Sequence, residues 1–169
     1  MTASTATVRT PIGPFTAVVD ADGAVLASGW TDYSAELLSL VHPSLRPASA
    51  AELRDLGTVT DAVRAFHDGD LAAIDPVPVR QRSGEFLEHA WEVLRTVEPG
   101  SPVTYTAYAD LSGRPDAVRA AAMACARNAA ALFVPCHRVL RLDGSLGGFR
   151  WGLAAKEWLL RHEAHTIAA

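Results

Sequence analysis

Cys136 stands between Pro135 and His137 in the run Phe133-Val134-Pro135-Cys136-His137-Arg138-Val139. A sulfur nucleophile needs a depressed pKa and a fixed direction of attack. An adjacent imidazole and a ring-locked proline contribute to both. The competing reading is packing, because free cysteine is among the most buried residue types. Cys125 is the only other cysteine, eleven positions earlier. Two cysteines at that spacing give neither a disulfide framework nor a four-ligand zinc pattern. His42 and His67 are isolated candidates, so no metal and no cofactor is expected. Cys125 falls in an alanine-rich helical stretch and is expected to be packed and inert.

The elements that must hold this thiol belong to a chain of 169 residues, 49% hydrophobic, with a mean hydropathy of +0.11. That is enough for one ordinary domain or two small ones with a real core. No apolar run approaches membrane-spanning length, and the N-terminus lacks a signal-like pattern, so a cytoplasmic protein without membrane association is expected. The net charge of −4 argues against a nucleic-acid partner. Its distribution argues the other way. Residues 1–100 carry 7 Arg against 14 acids, a net −7, while residues 101–169 carry 7 Arg and 1 Lys against 5 acids, a net +3. Arg114, Arg119, Arg127, Arg138, Arg141 and Arg150 make the latter part a candidate phosphate-binding face, with a solvated surface as the alternative.

Alternation around Asp20-Ala21-Asp22-Gly23 predicts a hairpin with strands at about 14–20 and 24–30. The stretch 43–51, rich in Pro, Ser and Ala, reads as a loop. Val59, Val63 and Phe66 at i, i+4 and i+7 predict a helix ending at Asp68-Gly69. Residues 74–79 read as an edge strand broken by Pro76 and Pro78. From Ser83 onward, Phe86, Ala90, Trp91 and Leu94 form one helical stripe, with Glu85, Glu88 and Glu92 facing solvent. Thr104 can cap a helix over 105–111, Ser112-Gly113-Arg114-Pro115 breaks it, and 116–127 forms an alanine-rich helix. Two short helices joined this way have the outline of a helix-turn-helix. An apolar strand over 129–134 then leads into Cys136. Glycines 144, 147 and 148 make a flexible loop, and a last helix over 153–163 offers Leu153, Trp158, Leu159 and Leu160 to the core. The domain boundary is placed at residue 80, giving 1–80 and 81–169.

These residues resemble the O6-alkylguanine-DNA alkyltransferases, or methylated-DNA–protein-cysteine methyltransferases. The resemblance rests on Pro135-Cys136-His137-Arg138-Val139, the helix 86–94, Thr104-Tyr105, Arg119-Ala120, Asn128, Lys156-Glu157-Trp158-Leu159-Leu160 and His162-Glu163. It spans about 80 residues with its spacing kept. Thr10-Pro11-Ile12-Gly13-Pro14 carries a weaker likeness in the first half. The implied fold is α/β: a small N-terminal domain with an antiparallel, ribonuclease H-like sheet, then a mostly helical domain with a helix-turn-helix.

The implied activity is direct DNA repair. One alkyl group passes irreversibly from the O6 of guanine in duplex DNA to Cys136, and O4-alkylthymine is left open. On the resemblance, His137 takes the thiol proton through a water, Glu163 orients that imidazole, and Tyr105 donates to the departing base. Asn128 braces the turn. Arg119 replaces the base flipped out through the minor groove, with Tyr105, Thr106, Arg114, Ala120, Ala122 and Met123 also facing DNA. Val139, Gly148, Phe149 and Arg150 would line the pocket, with Gly147 beside them. A monomer in solution is implied, and cooperative loading on DNA stays open. Met123, Ala129 and Phe149 depart from the family pattern. Two other readings stand beside this one, a non-catalytic lesion binder or alkylation-responsive regulator and a Cys-His hydrolase; turnover and the need for Cys136 separate them.

Overall fold

The computed structural model describes residues 2–169. Two compact units are present: one takes the chain through Arg82 together with Ala129–Phe133, the other takes Ser83–Asn128 and Val134–Ala169.

The first unit is built on four strands: β1 (Ala3–Thr10), β2 (Gly13–Val19), β3 (Val25–Gly29) and β4 (Ala50–Glu52), in the order β3-β2-β1-β4. Asp20 turns β2 into β3 by accepting from the backbone N–H groups of Asp22 and Ala24, an Asx arrangement that explains the expected hairpin. The alternation rule misses β1 because its buried positions Ala3, Thr5 and Ala6 are small or polar. Thr5 buries its hydroxyl by donating to Ala17 O at 3.0 Å. The sheet is not wholly antiparallel. After α1 (Ser34–Leu40) the chain crosses over and lays β4 parallel to β1, so part of the expected loop is strand.

α2 (Thr58–His67) buries Val59, Val63 and Phe66 and stops at Asp68-Gly69, where Gly69 takes φ +111°. The expected strand at 74–79 is instead a 3-10 turn, Leu71–Ile74, followed by a single bridge from Val79 to Val25. Pro76 and Pro78 lack the donors a longer ladder needs.

The second unit begins with α3 (Glu85–Leu94), whose Ala90, Trp91 and Leu94 are buried. β5 (Val103–Thr104) runs directly into α4 (Tyr105–Leu111), and Thr104 Oγ1 accepts from Ala107 N at 3.1 Å as its cap. α5 (Val118–Ala126) follows after Gly113 at φ +88°. It packs through alanines 121 and 124 while Trp91 Nε1 donates to Ala124 O at 2.8 Å. β6 (Val139–Leu140) pairs parallel with β5, and α6 (Leu153–Ala168) closes the chain. Lys156, Leu159 and Glu163 are the buried residues of α6, whereas Leu153 is 51% exposed and contributes nothing to the core.

Between α5 and β6 no strand forms. Ala130 makes one bridge to Ser28, turns follow, and Cys136–Arg138 is a short 3-10 helix. Leu132 is fully buried at φ +76°. A branched side chain held there costs on the order of 1 kcal/mol, and the same bend excludes strand geometry.

Candidate active site

Cys136 opens the 3-10 helix that follows Pro135, so its side chain is set by a ring-locked residue before it and a hydrogen-bonded turn after it. It lines a cavity of about 340 Å³ with Tyr105, Ala122, Cys125, Ala126, Asn128, Gly148, Phe149, Arg150 and Trp151. Asn128 Nδ2 donates to Val134 O at 2.7 Å, two residues before the cysteine.

The two residues that follow Cys136, His137 and Arg138, are buried together with Glu163. His137 Nε2 lies 2.9 Å from Glu163 Oε2. Arg138 holds the same carboxylate through Nε, 3.1 Å from each oxygen, and through Nη2 at 2.8 Å, while its Nη1 donates to Val97 O at 2.7 Å. Burial opposes the charge on Glu163, yet His137 and Arg138 outweigh it and hold the carboxyl down at about 2. For His137 the balance falls the other way. Burial pushes the imidazole below its ordinary value against the pull of Glu163, and the charges of Arg138 and Lys156 add to the downward shift. A neutral imidazole results, with Nδ1 buried and without a hydrogen-bond partner among the described residues. Arg138 is thereby removed from the expected phosphate-binding face.

The Cys136 thiol is not depressed in the resting protein. Burial raises it, and a hydrogen bond from Asn128 and the charges of Lys156 and Arg150 offset this only in part. Cys125 was expected to be packed away, but it shares the cavity; burial and then Cys136 push its thiol well up, which keeps it protonated. Tyr105 is half-buried and raised to about 12, by burial first and then by the two sulfurs. Its hydroxyl is therefore a donor at neutral pH.

Lys156 is a member of this site that sequence reasoning treated only as part of a matching string. It is fully buried, with Nζ donating to Val139 O at 2.7 Å and to Gly148 O at 3.3 Å. One ammonium thus joins β6, just after the cysteine, to the loop that carries the cavity wall. A lysine two turns before Glu163, on the helix face that also carries Leu159, was the available signal. Trp151 and Ala126 are further wall residues not anticipated. Gly147 does not line the cavity but backs it. At φ +71° it is tightly backed: a Cβ there would sit 3.3 Å from Tyr105 Cε2 and from its hydroxyl, so the ring would have to give by a few tenths of an ångström.

Of the remaining expected residues, Gly148, Phe149 and Arg150 line the cavity, whereas Val139 is buried in β6 and does not. On α5, Ala122 faces the cavity, Ala120 is partly exposed, and Arg119 and Met123 are exposed, the latter 43%. Thr106 and Arg114 are exposed, and Arg114 lies over the Phe86 ring at 5.4 Å.

Fold and site together define a mixed α/β protein whose one equipped thiol faces a cavity beside an arginine-bearing helix. Residues 85–165 match the model for the 6-O-methylguanine DNA methyltransferase DNA-binding domain. The methylated-DNA–protein-cysteine methyltransferase of Shigella flexneri is 32% identical over 162 residues, 95% of this chain and 95% of the relative. The solved structure of the Mycobacterium tuberculosis O6-methylguanine methyltransferase superposes with a TM-score of 0.80 at 27% identity, covering 97% of this chain and 94% of that one. A structure of the Mycobacterium tuberculosis OGT in complex with DNA gives 0.80 at 25% identity, with 98% and 94% covered. The chain belongs to the methylated-DNA–protein-cysteine methyltransferase family.

Proposed function

We infer that this protein repairs DNA by moving an alkyl group from O6-alkylguanine in a duplex onto Cys136, once per molecule. The observation that carries this is a cysteine on a cavity wall with a neutral histidine next to it in sequence, that histidine being hydrogen-bonded to a buried, arginine-paired glutamate. The sulfur attacks the alkyl carbon, the C–O6 bond breaks, and its electron pair leaves on the guanine. His137 takes the thiol proton through a water, Glu163 stabilises the imidazolium that forms, and the imidazolium gives the proton up again as the base is neutralised. Tyr105 donates to the base as negative charge develops. The proton lost by sulfur ends on guanine, so the products are unmodified guanine and a neutral thioether. No other acceptor is required.

A raised thiol suits this order of events. Deprotonation is unfavourable until a substrate shares the cavity, which protects the acceptor from stray electrophiles. Lys156 and Arg150 supply the field that then favours the thiolate. Asn128 is a positioning residue for the same turn.

The base must leave the stack to reach the cavity. We assign α4 and α5 to a helix-turn-helix, with Arg119 filling the vacated space and Thr106, Arg114, Ala120 and Met123 meeting the minor groove. The small residues of α5 allow close approach. The sheet of the first unit, with its order β3-β2-β1-β4, supports a ribonuclease H-like reading of that part. Residues 1–80 and 81–169 serve as the two domains, and the protein acts as a monomer in the reducing cytoplasm, where an acceptor thiol persists. Among the described residues no helix is long and apolar enough to cross a membrane.

Titrating a fixed amount of methylated duplex with protein tests the reading. Restored guanine should equal the protein added, mole for mole. Repeated turnover by one molecule would point to hydrolysis instead.

A further inference from the structure

Arg150 lies on the cavity wall and is exposed, yet among the described residues it has no carboxylate partner. Its Nη2 donates to Ala126 O at 2.8 Å. Ala126 is the last residue of α5, so the guanidinium caps the end where the helix dipole is negative. That end alone repels an anion. With Arg150 upon it and Arg127 exposed as the next residue, it attracts one.

The segment carrying Arg150 is not loosely hung. Gly147 at φ +71° and Gly152 at φ +99° turn the chain at either side, and Lys156 holds it through Gly148 O at 3.3 Å. The guanidinium is therefore kept at the rim. A purine entering this cavity brings its sugar and the adjoining phosphodiester to that rim. A phosphate oxygen is charged and matches the guanidinium fork, and it outcompetes a neutral carbonyl for the same donors.

We propose that Arg150 binds a phosphate of the extruded nucleotide, exchanging the Ala126 carbonyl for a phosphate oxygen next to the lesion while the base occupies the cavity. This rests on the alkyl-transfer reading given above. It assigns Arg150 a substrate contact outside the base itself, and makes the cavity selective for a nucleotide within a strand over a free base.

The test is a cycle in which phosphate charge is the second change. Wild-type protein and Arg150→Gln are each reacted in single turnover with a duplex containing O6-methylguanine, whose flanking phosphates are normal or replaced one at a time by neutral methylphosphonate. Both proteins are also reacted with the free base O6-methylguanine. One methylphosphonate should slow the wild type by about tenfold, as expected for losing a charge-assisted contact. Arg150→Gln should slow the normal duplex comparably, and the two changes together should be no worse than either. Arg150→Gln should slow the free base much less than the duplex, because the free base loses only the field of Arg150 at Cys136 and no phosphate contact. Additive losses, or equal slowing of duplex and free base, overturn the proposal, the second because it would show Arg150 merely holding the wall. If the wild type transfers no methyl at all, the transfer reading fails. Duplex binding still decides on Arg150: a slope of log affinity against log salt smaller by about 0.9 in Arg150→Gln supports the phosphate contact, and an unchanged slope overturns it.

Discussion

Glu163 is the residue on which the active-site turn depends, because it answers Arg138 and His137 at once. Glu163→Gln keeps the shape but leaves the Arg138 guanidinium buried without a counter-charge, and should lower stability by about 3–5 kcal/mol in chemical denaturation. A loss under 1 kcal/mol would mean that the network is not holding the turn. His137 gives a pH dependence whose sign can be worked out. Its folded value lies below the ordinary 6.5, so the unfolded chain takes up a proton that the folded chain refuses. Stability is therefore fully present above about 6.5 and is lost as pH falls below it, and His137→Asn should flatten that part of the profile. Cys136, His137 and Glu163 were legible from the sequence as a resemblance, but the burial of Arg138 was not. Nothing in a Cys-His-Arg string tells that the imidazole and the guanidinium both turn inward. The raised thiol was also illegible, because desolvation is set by residues as far apart as Tyr105 and Trp151 that meet only after folding.

At the scale of elements, the loop behind the cavity is where geometry is tightest. Gly147→Ala places a Cβ against Tyr105 and puts alanine at φ +71°, a conformation costing about 1 kcal/mol. Alkyl transfer should slow several-fold while affinity for unmodified duplex stays unchanged. Equal rates in single-turnover kinetics would show that Tyr105 need not hold its position. For α5, Arg119→Ala should slow reaction with duplex by on the order of tenfold, since unstacking costs a few kcal/mol, and leave reaction with free O6-methylguanine intact. The helices α2 through α6 were readable because their apolar spacing, caps and breakers agree with one another, as Thr104 and Gly69 illustrate. Elements that escaped have weaker internal signals. β1 buries threonine and alanine with Val8 as its one larger aliphatic, β4 is three residues long, and the run before Cys136 is apolar enough for a strand but bends at Leu132 to join the first unit's packing.

For the whole molecule, the division of charge that the sequence displays is the feature most relevant to DNA. The first hundred residues carry the net negative charge, whereas the exposed Arg114, Arg127 and Arg150 all belong to the second unit. If each neutralises one phosphate, log affinity for duplex should fall with log salt at a slope of about −3, and a slope near zero in a salt titration would count against this face as the DNA contact. The acceptor itself is tested most directly by intact-protein and peptide mass spectrometry after incubation with a duplex carrying O6-methylguanine. The expected result is a stoichiometric gain of one methyl on the peptide containing Cys136, with none on Cys125 and none anywhere in Cys136→Ser. A methyl found on another residue, or an unmodified protein beside repaired DNA, would contradict it.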